Sequence, residues 1–167
     1  EKTQALFDEM KADGRWKRVK AVYFVSYYSN PTSRCLSKKE KTELLNLLSR
    51  NELQVPILED AAYRDLFYDE PAEAPTLLSN VWNHGFTVLY TGTFTKPLAT
   101  GLKVGYAICN NKSLLDKMIY AKGHHDFGSA HFNQALVERI LVEGHYPDLL
   151  DKQRRHYKRK AQVMLQA

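Results

Sequence analysis

The strand-like run Val19 to Val25 is separated from the next one, Gln54 to Glu59, by a complete amphipathic helical pattern. A hairpin closes in a few residues, whereas parallel strands need a crossover of a dozen or more, so this spacing points to a parallel pair. The crossover carries its own start signal, because Ser37 followed by Glu40 has capping-box form. Leu44, Leu45, Leu47 and Leu48 then make a broad stripe suited to covering a sheet, and the helix is expected to end near Arg50 and Asn51. Strands joined by helical crossovers imply a mainly parallel, right-handed α/β sheet with helices on both faces. In such sheets ligands gather beyond the carboxyl ends of the strands.

The remaining segments fit the same plan. Thr3 to Lys11 has helical spacing through Leu6, Phe7 and Met10, and Asp13-Gly14 stops it. After Glu59 a loop with irregular helix, containing Pro71 and Pro75, leads to Gly85 and a strand over Phe86 to Tyr90. Lys103 to Cys109 is another apolar run of strand length. Ser113 to Lys122 reads as a short helix, Gly123 to Gly128 as a turn, and Ser129 to Glu143 as a longer helix. Pro147 suits the first residue of a final helix running to the end.

At 167 residues the chain makes one domain, large enough to bury about 70% of its unfolded surface. Its longest apolar stretches are too short to span a bilayer, and Glu1 to Gln4 lack a secretory pattern, so a cytoplasmic protein is expected. Cys35 and Cys109 form no CxxC pair, which indicates neither a disulfide framework nor a zinc site. Adjacent His124 and His125 in a turn point apart, and no neighbouring group is seen that would orient them, Asp126 or His131 as ligands, so no metal is expected. The net charge of +5 is concentrated over Lys11 to Lys20 and Lys152 to Lys160. Without a nucleic-acid motif beside it, the second stretch reads as a solvated helix face.

Three strand ends carry chemistry. Asn30-Pro31-Thr32, Asp60-Ala61-Ala62-Tyr63 and Thr93-Phe94-Thr95-Lys96 each follow an apolar run, and the parallel topology puts them on one rim. Taken singly each has a plainer role: a turn at Asn30, a helix N-cap at Asp60, a half-buried aromatic at Tyr63, a surface lysine at Lys96. Together they suit a pyridine aldehyde with a phosphate tail. Lys96 would form an imine with the aldehyde, Asp60 would keep the ring nitrogen protonated, and Asn30 and Tyr63 would donate to the ring oxygen. Lys103 and the hydroxyls of Thr93 and Thr95 would hold the phosphate.

These segments, with Gly101-Leu102-Lys103-Val104-Gly105-Tyr106, make the chain resemble the class I/II aminotransferases, fold-type-I enzymes that use pyridoxal 5'-phosphate. The likeness is greatest to the 2-aminoadipate and aromatic aminotransferase subgroup and to aminotransferase-like domains of bacterial transcription regulators. It implies transamination between an α-amino acid and a 2-oxo acid, with Lys96 as catalytic Schiff-base lysine. Cofactor binding is implied for Asn30, Asp60, Tyr63, Thr93, Thr95, Lys96 and Lys103. A non-catalytic effector domain of a regulator, or a lyase or synthase of the same fold, is the alternative.

Two departures stand out. Ser33 replaces the family's glycine, at little cost if its φ is negative, and Lys103 replaces its phosphate-binding arginine with a point charge lacking the bidentate fork. The resemblance places residues 1–145 within a cofactor-binding large domain and 146–167 in a helix leading toward a small domain. The expected unit is therefore a fragment, inactive alone, of a homodimeric parent, without membrane or nucleic-acid contacts through this segment.

Overall fold

In a computed structural model the structure describes residues 2–79, 82 and 84–166. The element order is α1 (Lys2–Ala12), a 3-10 turn (Arg15–Arg18), β1 (Val22–Val25), α2 (Lys38–Arg50), β2 (Ile57–Asp60), β3 (Val88–Thr93), β4 (Gly105–Cys109), α3 (Lys112–Asp126), α4 (His131–Val142) and α5 (Tyr146–Gln166). The strands lie in one sheet in the order β1-β2-β3-β4. β1, β2 and β3 run parallel, and β4 returns antiparallel to β3. The chain is thus an α/β unit built on a mainly parallel sheet, as its crossover spacing predicts. Among the described residues no helix is long and apolar enough to cross a membrane.

α2 begins where the capping box predicts. Ser37 Oγ accepts from the Glu40 N–H, and Glu40 Oε2 accepts from the Ser37 N–H. Its buried Leu45 and Leu48 pack on Ile57, Val88, Leu77 and Phe86, with Phe7 and Trp16 joining from α1 and the 3-10 turn. Each such leucine contributes roughly 1.5–3 kcal/mol by leaving water.

Element bounds shift for local reasons. β1 starts at Val22 rather than Val19, because the Val19 N–H closes the 3-10 turn on the Trp16 carbonyl. β3 runs on to Thr93 because β4 supplies a ladder as far as the Thr93–Gly105 pair. Gly92 permits this pairing: a Cβ there would lie 2.3 Å from the ring of Tyr106 on β4. The turn expected at Gly123 is instead the last part of α3. The helix continues to Asp126, where Phe127 adopts a left-handed φ of 50° as its cap and the Asp126 carboxylate accepts from the Gly128 N–H. The loop expected after Glu59 includes Asn80, Val81 and Asn83, which, like Glu1 and Ala167, lie outside the described residues.

A second apolar cluster matters for the site. Leu98 and Leu102, in the turn after β3, pack on Val137 of α4, with Phe94, Val104, Ile140 and Leu149 around them. Helices α4 and α5 thereby brace the segment that carries Lys96. Part of the basic stretch in α5 is not solvated as expected. Arg154 donates from Nε to the Asp65 carbonyl at 2.7 Å and stacks 3.6 Å above the Phe67 ring, and Lys158 pairs with Asp69.

Candidate functional site

The register aligns three strand ends. Val25 pairs with Asp60 and Asp60 with Thr91. Beyond that level the ladder persists for one more step, Ser26 N–H to the Asp60 carbonyl and Ala61 N–H to the Thr91 carbonyl, before the chains diverge. The segments leading to Asn30, Tyr63 and Lys96 therefore leave the same edge of the sheet, as the parallel topology requires.

Tyr63 is where the sequence-derived residues meet. The Lys96 ammonium lies 5.6 Å from the centroid of the Tyr63 ring, within cation–π range. Tyr63 also shares an open cleft of about 260 Å³ with Asn30, Ser33, Tyr68 and Tyr157. Asp60, Thr93, Thr95, Lys96 and Lys103 lie outside the walls of that cleft. The amide and the phenol thus face one space, and the amine approaches the same phenol from the strand on its other side.

Asp60 is half-buried, with each carboxylate oxygen engaged once. Oδ1 accepts from the Ala62 N–H at 3.0 Å, which is the turn-capping use an aspartate after a strand commonly has, and Oδ2 accepts from Tyr23 Oη at 2.8 Å. An ionised carboxylate offers about four acceptor positions, so one on each oxygen stays free. Tyr23 is a residue that sequence reasoning passed over, because its pairing depends on strand register.

The turn after β3 is ordered by Thr93. Its hydroxyl donates to the Val104 carbonyl and accepts from the Thr95 N–H, both at 3.0 Å, which ties the start of the turn to its end. Thr95 is held through its backbone. Lys103 is exposed next to Val104, in the left-handed region at φ 53°. Ser33 departs from expectation in the same way: its φ is +54°, a conformation that glycine adopts freely and that costs other residues about 1–2 kcal/mol. The condition for a low cost, a negative φ, is therefore not met.

Behind the rim lies a polar network that sequence reasoning also missed. Lys41 of α2 and Glu59 of β2 are both fully buried and meet at 2.7 Å. Lys41 Nζ also donates to the Pro75 carbonyl and to Tyr27 Oη, while Glu59 accepts from Ser26 Oγ and from the Leu77 N–H. Burial holds the Lys41 ammonium below its ordinary pKa, and the bond and charge of Glu59 oppose that. Burial likewise pushes the Tyr27 phenol up. The sequence did carry a signal. Lys41 falls on the stripe of Leu44, Leu45 and Leu48, and Glu59 alternates with Ile57 toward the same core.

The family model for aminotransferase class I and II matches residues 2–167. The chain belongs to the class I and II aminotransferases. It is 34% identical over 152 residues to the 2-aminoadipate transaminase of Thermus thermophilus, covering 90% of this chain and 37% of that protein. It is 31% identical over 154 residues to the HTH-type transcriptional regulator YdfD of Bacillus subtilis, covering 92% of this chain and 31% of the regulator. Among solved aminotransferases, the Pyrococcus horikoshii kynurenine aminotransferase superposes with a TM-score of 0.82 at 28% identity, covering 98% of this chain and 39% of that one. LysN, the α-aminoadipate aminotransferase of Thermus thermophilus crystallised with N-(5'-phosphopyridoxyl)-L-leucine, gives 0.76 at 31% identity, covering 95% and 40%. The chain therefore spans about two fifths or less of the length of these aminotransferases and regulators.

Proposed function

We propose that this chain is the cofactor-binding part of an aminotransferase that uses pyridoxal 5'-phosphate to move an amino group between an α-amino acid and a 2-oxo acid. The observation that carries the reading is the placement of the Lys96 amine over Tyr63, on the turn that opens at Asp60. The donor set fits the cofactor. An amine suits its aldehyde, a carboxylate with free acceptor positions suits its pyridine nitrogen, and an amide and a phenol on one cleft suit its ring oxygen. The exposed Lys103 suits its phosphate, together with Thr93, whose hydroxyl rotor can turn from Val104 toward an anion, and Thr95. When bound, the cofactor supplies an electron sink for the carbanion left by deprotonation at the substrate's α-carbon.

Each residue of the chain then has a task. Lys96 would hold the cofactor through its aldehyde, and its free amine would be placed to move a proton at the substrate's α-carbon. Asp60 would pair with the ring nitrogen and favour its protonated form. Asn30 and Tyr63, which line one cleft, would donate to the ring oxygen. Lys103 neutralises phosphate as a point charge and orients it less firmly than a guanidinium would. On this reading residues 1–145 are part of the cofactor-binding large domain, and 146–167 are the segment leading toward a small domain. The parent is read as a cytoplasmic homodimer, and this segment by itself as inactive.

The test uses the complete natural protein. Incubation with pyridoxal phosphate should give a visible absorbance band, borohydride should bleach it, and mass spectrometry should find the reduced adduct on Lys96. K96A should lose the adduct, and a panel of amino donors with 2-oxoglutarate should report turnover. An unlabelled Lys96 in a protein saturated with cofactor would refute the assignment. The likeness to YdfD favours a second reading, an effector-sensing domain that binds the cofactor without turnover. Labelling of Lys96 with no activity toward any donor would select it.

A further inference from the structure

Tyr23 has a place in the site that the chemistry above does not use. It lies in β1, paired with Leu58, two residues before the Val25 that pairs with Asp60. Side chains alternate along a strand, so Tyr23, Leu58 and Asp60 share one face of the sheet, opposite the face that buries Val22, Phe24 and Ile57 in the core. The Tyr23 ring is 61% exposed, so packing does not explain its orientation. Its hydroxyl nevertheless reaches Asp60 Oδ2 at 2.8 Å across the β1–β2 pair. The bond to Asp60 is the first cause that pushes the Tyr23 phenol above its ordinary pKa, ahead of desolvation and of the charges of Asp60 and Tyr63.

With the Ala62 N–H on Oδ1 and the Tyr23 hydroxyl on Oδ2, the Asp60 carboxylate is held at both oxygens. Two donors at different ends fix the rotation of the group, and they leave the remaining acceptor positions pointing away from the bonds already made. Without Tyr23 the carboxylate would keep one anchor and could turn about it. The backbone anchor survives any substitution of Ala62 other than proline, so the phenol is the half that a conservative change removes.

We propose that Tyr23 is a positioning residue for Asp60, aiming its carboxylate at the pyridine nitrogen of the cofactor. The inference rests on the reading of this chain as a pyridoxal phosphate site, and concerns how that site holds its ring. A charge-assisted hydrogen bond that pre-orients a ligand group accounts for about tenfold in affinity. Tyr23 acts through Asp60, so its effect should exist only while Asp60 can pair with the ring.

The experiment is a double-mutant cycle on the complete natural protein, read as the dissociation constant of pyridoxal phosphate by fluorescence titration, with the thermal midpoint of the cofactor-free protein measured alongside. Tyr23→Phe removes the hydroxyl and keeps the ring. The expected result is an affinity about tenfold weaker, an unchanged thermal midpoint for an exposed ring, and no further loss when the substitution is made in an Asp60→Asn background. An unchanged dissociation constant in Tyr23→Phe would overturn the proposal. So would an equal loss in both backgrounds, since the phenol would then act on something other than Asp60. If the natural protein itself binds no pyridoxal phosphate, the reading of the site fails first and this inference falls with it.

Discussion

Replacing Lys41 with methionine should destabilise this chain more than any surface change. Lys41 and Glu59 are both 0% exposed, and their 2.7 Å contact neutralises two charges that would each be costly to hold out of water. Methionine has a similar length but carries no charge and donates nothing. Glu59 would keep Ser26 Oγ and the Leu77 N–H as donors and lose its counter-charge, while the Pro75 carbonyl would lose a donor at 2.8 Å. An uncompensated buried charge costs about 3–5 kcal/mol. Against a typical total of about 5–15 kcal/mol this removes a large share of the stability. Urea unfolding followed by circular dichroism measures it, as a fall in midpoint at constant slope. The double variant Lys41→Met with Glu59→Leu removes both charges, and its remaining cost is the unpaired Ser26 hydroxyl, Leu77 N–H and Pro75 carbonyl. Those two substitutions should therefore be non-additive by about 2 kcal/mol or more, the double being milder than the sum. A Lys41→Met cost below about 1 kcal/mol, or strict additivity, would refute the account of this network as a charge pair balanced by its own partners.

Ser33→Gly should stabilise the chain by about 0.5–1 kcal/mol, because relief of the left-handed backbone outweighs the added freedom of the unfolded glycine; a lower urea midpoint would contradict this. Glu40 supplies a pH test. Its carboxyl is held below the ordinary value of 4.5, first by the Ser37 N–H and then by the Ser37 hydroxyl. The unfolded carboxyl therefore protonates before the folded one, so its contribution is complete above about 4.5 and is lost as pH falls through the folded value. Between roughly pH 5 and 3 the natural chain should lose stability more steeply than Glu40→Gln, and parallel acid-unfolding curves would count against the capping box.

Much of the fold was legible because local rules agreed with one another. Ser37 and Glu40 announced α2, the stripe from Leu44 to Leu48 announced its buried face, and the crossover length announced a parallel pair. Boundaries were less legible where a distant partner decides them. β3 outran its apolar core because β4 came back beside it, whereas α3 passed Gly123 for a local reason, its capping contacts at Phe127 and Asp126. The positions of Lys96, Tyr63 and Asn30 beyond strand ends could be read from the apolar runs before them. The contact of Tyr23 with Asp60 could not be read there, since it comes from the register of β1 against β2.

What the sequence by itself determined was the inventory: helices with their starts, apolar runs, and an amine, an acid, an amide and a phenol after strand ends. Those follow from interactions between residues a few positions apart, which a chain specifies wherever it goes. Tertiary structure alone decided which groups touch. The Lys41–Glu59 pair joins residues from different elements, and Tyr23 reaches Asp60 across a strand pair. Such contacts depend on how whole elements pack and align, and no short stretch of chain carries that information.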